Sequence, residues 1–240
     1  MRLFSIATIM HYRGENNGEG ELPMTTIQLF NYAGIFVFAA TGALAASRRQ
    51  LDIIAFIFLA AVTGIGGGTL RDLILGVPVF WVKDPDYLLV CAAAAVVVYF
   101  SANLVESRYR VLLWLDAVGL AAYSVMGAAK SLALGFDSSI AVVTGVMTAT
   151  FGGILRDIIS GEPSVLMRRE IYVTAALAGS IVYIILHALS AGLELSALAA
   201  ALTAFAVRGG ALYFGWALPT YHKPGRTTEE LERDGFIRSE

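Results

Sequence analysis

A chain of 240 residues that is 57% hydrophobic and only 15% charged, with a mean hydropathy of +0.69, is too apolar for a soluble domain. Its formal net charge of −2 is uninformative by itself, and without a basic stripe no nucleic-acid partner is expected. The single cysteine, Cys91, excludes an intrachain disulfide and a C-x-x-C site, and in its Ala/Val run it reads as a small packing residue. Several apolar runs approach the roughly 20 residues that cross a bilayer. The reading is an all-α polytopic membrane protein.

Taken in order, residues 1–26 form an N-terminal extension whose polar, glycine-rich stretch predicts flexibility, and no cleavable signal is evident. Segment 1 covers 27–46 and ends at Ser47-Arg48-Arg49. Segment 2 covers 51–75 and carries Gly64, Gly66, Gly67 and Gly68 past its middle. Such a run weakens a helix by about 1 kcal/mol per glycine and lets another backbone approach, so a kink or break is expected at 66–68. Gly76-Val77-Pro78 then ends the helix. A linker holding Trp81, Lys83, Asp84 and Asp86 leads into segment 3, 87–103.

Segment 4 covers 111–132 and includes Asp116 and Lys130. Segment 5 covers 139–160 and contains Gly152-Gly153, segment 6 covers 171–190, and segment 7 covers 194–217 with Arg208 roughly mid-span. A mixed-charge tail follows at 218–240. Seven spans are thus expected. Lys and Arg concentrate after segments 1, 3 and 5 and in the tail, which places the amino terminus outside and the carboxyl terminus in the cytoplasm.

One stretch occurs twice. Gly67-Gly68-Thr69-Leu70-Arg71-Asp72 continues to Gly76-Val77-Pro78, and Gly152-Gly153-Ile154-Leu155-Arg156-Asp157 continues to Gly161-Glu162-Pro163. The offset is 85 residues (67 to 152), and it also pairs Gly34 with Gly119, Gly42 with Gly127, Thr63 with Thr148 and Tyr87 with Tyr172. Each unit, 27–105 and 111–190, holds three spans, an odd number, so the two must be inverted, with residues 194–217 as an unpaired seventh helix.

Segments 2 and 5 then run antiparallel with their glycines facing one another. On one reading Gly66, Gly67, Gly68, Gly152 and Gly153 open a pathway flanked by Arg71, Asp72, Arg156 and Asp157. On the other they only allow tight packing, and the charges snorkel or cap. Lys130 reads either as a gating or selectivity charge or as an interfacial lysine, and Asp116 near the start of segment 4 as a further pathway charge. Arg208 is costly at its depth and is expected to pair with a carboxylate or face a subunit contact. The scattered His11, His187 and His222 form no metal cluster, and neither a P-loop nor a G-x-S-x-G elbow is present, so no enzyme, metal or cofactor is expected.

At the duplicated Gly-Gly-x-Leu-Arg-Asp element with its following Gly-x-Pro, the chain resembles the prokaryotic TRIC family, the trimeric intracellular cation channels, also described as a membrane family with a duplicated glycine-transporter domain. The resemblance spans roughly 27–217. It implies a homotrimer in the prokaryotic inner membrane, in contact with membrane lipids, with a pore in each subunit lined by bent second and fifth helices and passing monovalent cations, chiefly K⁺ and Na⁺. It does not extend to the Lys-rich lipid-binding motif of animal members, since the fourth span has only Lys130 there. A secondary transporter of a small solute such as glycine or a small amine is the alternative, and a non-transporting scaffold a third reading. Inverted repeats and broken helices serve channels and carriers alike.

Overall fold

The computed structural model describes residues 26–104, 107–164 and 171–219. The N-terminal extension expected up to residue 26 lies, but for that last residue, outside the described residues, and so does the tail from residue 220. Among the described residues the chain is all-helical, with eight α-helices: α1 (Thr26–Arg48), α2 (Ile53–Ile74), α3 (Phe80–Lys83), α4 (Asp86–Ser101), α5 (Arg108–Ala133), α6 (Ser138–Ile159), α7 (Val173–Ala188) and α8 (Leu193–Phe214). Helices α2, α5, α6 and α8, and α4 with its 3₁₀ extension to Leu104, are long and apolar enough to cross a membrane; α7 is apolar but shorter, at 16 residues.

Local chemistry sets the helix ends. Asp52 caps α2 by accepting the Ala55 N–H at 2.8 Å, and Ser107 opens α5 by accepting from Arg110 at 3.4 Å. The repeated Gly-x-Pro closes α2 and α6 in the same way. Gly76 and Gly161 both have φ of +66°, and the N–H groups of Val77 and Glu162 turn back to the carbonyls of Asp72 and Asp157 at 3.0 and 2.8 Å. This is the Schellman closure, which demands a residue free to adopt left-handed backbone.

The kink or break expected at 66–68 does not interrupt the helix. Helix α2 is continuous from Ile53 to Ile74 and α6 from Ser138 to Ile159. The reason is tertiary. A Cβ on Gly67 would strike the Thr148 carbonyl oxygen, and one on Gly152 would strike that of Thr63. These two contacts are exchanged by the 85-residue offset, and their indices run in opposite directions (67 with 148, 152 with 63), so α2 and α6 cross antiparallel about a pseudo-two-fold point. Backbone packed on backbone replaces the missing side chains and outweighs the weak helix propensity of glycine.

Each half repeats a second contact. Gly42 of α1 seats against the Leu59 carbonyl and Thr63 Oγ1 of α2, and Gly127 of α5 seats against the Thr144 carbonyl and Thr148 Oγ1 of α6. Thr63 and Thr148 return their hydroxyls to the carbonyls four residues back, at 2.6 and 2.5 Å, which keeps those donors satisfied away from water. Fully buried alanines, among them Ala39, Ala43, Ala94, Ala95, Ala128 and Ala149, complete a core of small residues. Helix α8 packs chiefly on α7 and α5.

This packing predicts that Gly67→Ala and Gly152→Ala each destabilise the protein by about 1–3 kcal/mol through overpacking of backbone on backbone. Gly66→Ala costs less, because the atom nearest its added Cβ is the end of the flexible Leu155 side chain at 3.1 Å. Thermal unfolding of the purified protein in detergent ranks the three; equal losses would contradict the crossing described.

Candidate functional site

The antiparallel crossing sends the C-terminal ends of α2 and α6, and with them the two Arg-Asp pairs, to opposite ends of the molecule. Both pairs are buried, with Arg71 and Asp72 at 5% and 0% exposure and Arg156 and Asp157 at 1% and 3%. The snorkelling reading is thereby corrected: buried side chains of adjacent residues clasp one another instead of reaching for headgroups.

The pairs start from one geometry. Arg71 brings Nε and Nη2 to Asp72 Oδ1, both at 2.8 Å, and Arg156 brings the same two nitrogens to Asp157 Oδ1 at 3.0 and 2.9 Å. Their third partners differ, and both come from α5. Lys130 Nζ lies 2.7 Å from Asp72 Oδ1, so the first cluster gains a cation. Asp116 Oδ1 lies 2.7 Å from Arg156 Nη1, so the second gains an anion. Arg156 Nη1 also donates to Thr41 Oγ1 of α1 at 3.0 Å. Residues 116 and 130 are separated by about 21 Å of helix rise, so a single helix supplies the distinguishing charge at both ends. Burying such charges is tolerable only because each is paired and hydrogen-bonded.

The surroundings of the two clusters differ as well. Asp72 Oδ2 accepts the N–H of Phe80 at 3.0 Å, which anchors the short helix α3 over the end of α2. Trp81 Nε1 reinforces the anchor by donating to Thr69 Oγ1 at 2.9 Å. The Phe80 ring fills the space above Gly68, where a Cβ would come within 2.6 Å of it. Above Gly153, the repeat equivalent of Gly68, that space holds the Tyr172 hydroxyl, 2.7 Å from where a Cβ would stand. Lys130 is the most open of the site side chains, about one-third exposed.

The structure therefore joins Lys130 to Arg71-Asp72 and Asp116 to Arg156-Asp157. Gly67 and Gly152 sit at the crossing itself, Gly68 and Gly153 serve as seats for an aromatic side chain, and Gly66 is half-buried between the two helices. Sequence reasoning missed Thr41, Phe80 and the reach of Tyr172 to the second cluster. Of these only Tyr172 left a signal, as the repeat partner of Tyr87. At the end of the molecule that holds the second cluster, Arg48 pairs with Glu162 at 2.8 Å and Arg49 donates to the Gly161 carbonyl at 2.6 Å, tying α1 to the end of α6.

Fold and site define a polytopic membrane protein made of two related helical units, each presenting a buried Arg-Asp pair. The glycine-transporter family model matches the chain twice, at residues 28–103 and 113–188, and the chain belongs to this family, that of the TRIC-type membrane proteins. It is 51% identical to the TRIC trimeric intracellular cation channel orthologue from Rhodobacter sphaeroides, with a TM-score of 0.77 over 78% of this chain and 97% of that one. A prokaryotic TRIC channel crystallised in 0.5 M KCl matches at 26% identity and a TM-score of 0.74, covering 80% of this chain and 98% of that one. Among curated relatives, a UPF0126 membrane protein of Vibrio cholerae is 34% identical, with 85% of this chain and 87% of the relative covered. The UPF0126 inner membrane protein YadS of Escherichia coli K12 is 37% identical, with 78% and 92% covered. The solved structures it resembles are channels, not enzymes.

The clusters predict an order of stability losses. Asp72→Ala strands the Arg71 charge in a buried site and costs about 3–5 kcal/mol. Lys130→Met costs markedly less, since Lys130 is the more exposed partner and Arg71 still neutralises Asp72. Denaturation of the detergent-solubilised variants reads the difference, and a Lys130→Met loss as large as that of Asp72→Ala would contradict this division of roles.

Proposed function

We propose that this protein is a homotrimeric, multi-pass inner-membrane channel for monovalent cations, K⁺ and Na⁺, with a pathway in each subunit flanked by α2 and α6. The observation that carries the reading is the pair of buried Arg-Asp clusters at opposite ends of two inverted helices, each completed by a charge from α5. The kinship with structures described as TRIC cation channels supports it, and the likeness to an orthologue described as trimeric supports the assembly. In this reading residues 27–105 and 111–190 are the two inverted units, 194–217 is the seventh span, and α1, α2 and α4 to α8 cross the membrane. The Lys/Arg distribution favours an external amino terminus and a cytoplasmic carboxyl terminus.

Within the pathway, Gly66 and its neighbours bring the two helices together at the middle, Lys130 stands as a partly exposed charge at one end, and Asp116 acts on the other end from its buried place beside Arg156. The pathway-lining role of Gly66, Gly67, Gly68, Gly152 and Gly153 is confined to the helix faces beside the crossing, because Gly67 and Gly152 are occupied by the opposing backbone.

A second reading, a carrier for glycine or a small amine, draws on one observation. The closed contact of α2 and α6 at the molecular centre is what an occluded carrier presents, and alternating access needs two halves that can rock about such a contact.

Recordings of the purified protein in planar bilayers decide between them. The channel reading expects discrete current steps in symmetric KCl and a reversal potential that follows a K⁺ gradient. Silent bilayers together with saturable counter-exchange of labelled glycine in proteoliposomes would establish the carrier. Chemical cross-linking in membranes checks the assembly, with a ladder ending at three subunits as the expected result.

A further inference from the structure

Arg208 of α8 is wholly buried, and a charge at that depth must be engaged. Its Nη1 donates to the Ile171 carbonyl at 3.2 Å, and its guanidinium carbon stands 5.1 Å from the centroid of the Tyr172 ring. Tyr172, the residue that leads into α7, is 1% exposed. Its far end enters the second charge cluster, where the hydroxyl lies above Gly153 and beside the Asp116 carboxylate.

Asp116 commits only one oxygen there. Oδ1 holds Arg156 Nη1 at 2.7 Å, while Oδ2 is buried with no hydrogen-bond partner. The Tyr172 hydroxyl is buried and unpartnered too. The two orphan atoms belong to neighbouring side chains and are chemical complements, one able to donate and the other to accept. Brought within hydrogen-bond distance of one another they form a charge-assisted O–H···O⁻ bond, which relieves both of the cost of an unsatisfied buried group. At the first cluster the Phe80 ring occupies the corresponding space, and Asp72 Oδ2 already accepts the Phe80 N–H.

We infer that Tyr172 is a positioning residue for Asp116, and that Arg208, by holding the Tyr172 ring, makes the unpaired helix α8 part of the second charge cluster. With the hydroxyl bound, Asp116 is held from two sides, and its charge is shared between Arg156 and Tyr172. With the hydroxyl withdrawn, Oδ2 is left to accept from water or to attract a cation. Helix α8 thereby acquires a lever on the charge at one end of the molecule. The effect on ion flow rests on the channel reading above, whereas the linkage of the three residues does not.

The experiment is a double-mutant cycle. Unit K⁺ conductance in planar bilayers is compared for the wild type, Tyr172→Phe, Asp116→Asn and the double variant. The expected result is a change of at least about twofold for Tyr172→Phe that vanishes in the Asp116→Asn background, because the hydroxyl acts only through that carboxylate. Arg208→Met is expected to reproduce the Tyr172→Phe change, and Arg208→Lys, which keeps a cation over the ring, to reduce it. An equal change in both backgrounds, or none in either, would overturn the inference. If the wild type carries no current, the channel reading fails, and the same cycle is read as melting temperature in detergent. A loss for Tyr172→Phe that disappears beside Asp116→Asn supports the linkage, and an equal loss in both backgrounds rejects it. Because Tyr172→Phe keeps the ring and removes one oxygen, the cycle does not depend on Arg208→Met folding.

Discussion

The architecture depends on a single close approach made twice: the Thr148 carbonyl against Gly67, and the Thr63 carbonyl against Gly152. No other residue than glycine lets two helix backbones meet this way, since any Cβ would occupy the space of the oxygen. Because the contact is its own image under the repeat, it forces α2 and α6 to cross antiparallel. The same threonines are gripped from their other side by Gly42 and Gly127, so α1 and α5 are registered to the crossing as well. In a membrane, where lipid offers no hydrophobic drive between helices, such small-residue contacts supply the cohesion through dispersion and helix proximity.

From that crossing follows the distribution of charge. Two inverted helices carry identical Arg-Asp pairs to opposite ends, and a strictly symmetric protein would have identical surroundings there. This one does not. Helix α5 brings a lysine to one pair and an aspartate to the other, and the spaces above Gly68 and Gly153 hold a phenyl ring in one case and a phenol hydroxyl in the other. The duplicated backbone provides the scaffold and the unduplicated side chains give it a direction. A transport protein needs that direction, because its two faces meet different solutions.

The halves are also joined at their edges, by Arg48 and Arg49 reaching Glu162 and the Gly161 carbonyl at one end and by Lys130 reaching Asp72 at the other. These ties are more exposed than the central crossing and rest on long, flexible side chains. Central packing held by backbone, with ion pairs at the periphery, suits motion at the ends about a fixed middle. Both the channel and the carrier readings use that property.

The sequence by itself determined the class of the protein, its helices and its duplication. Hydropathy marks the long apolar helices, Gly-x-Pro fixes where α2 and α6 stop, and the constant 85-residue offset exposes the duplication. All of these are local or arithmetical properties of the chain. The sequence also marked Arg71, Asp72, Arg156, Asp157, Asp116 and Lys130 as unusual, because a charge in an apolar run is conspicuous without any structure. The partners were decided only by the tertiary structure. That Lys130 meets Asp72, that Asp116 meets Arg156, and that Tyr172 lies between Arg208 and Asp116 depends on the rotation of each helix about its axis. Packing sets that rotation through contacts distant in sequence. The glycine run illustrates the same limit: intrinsic propensity argued for a break at 66–68, yet the backbone of α6 lies where the side chains are missing, and the helix continues.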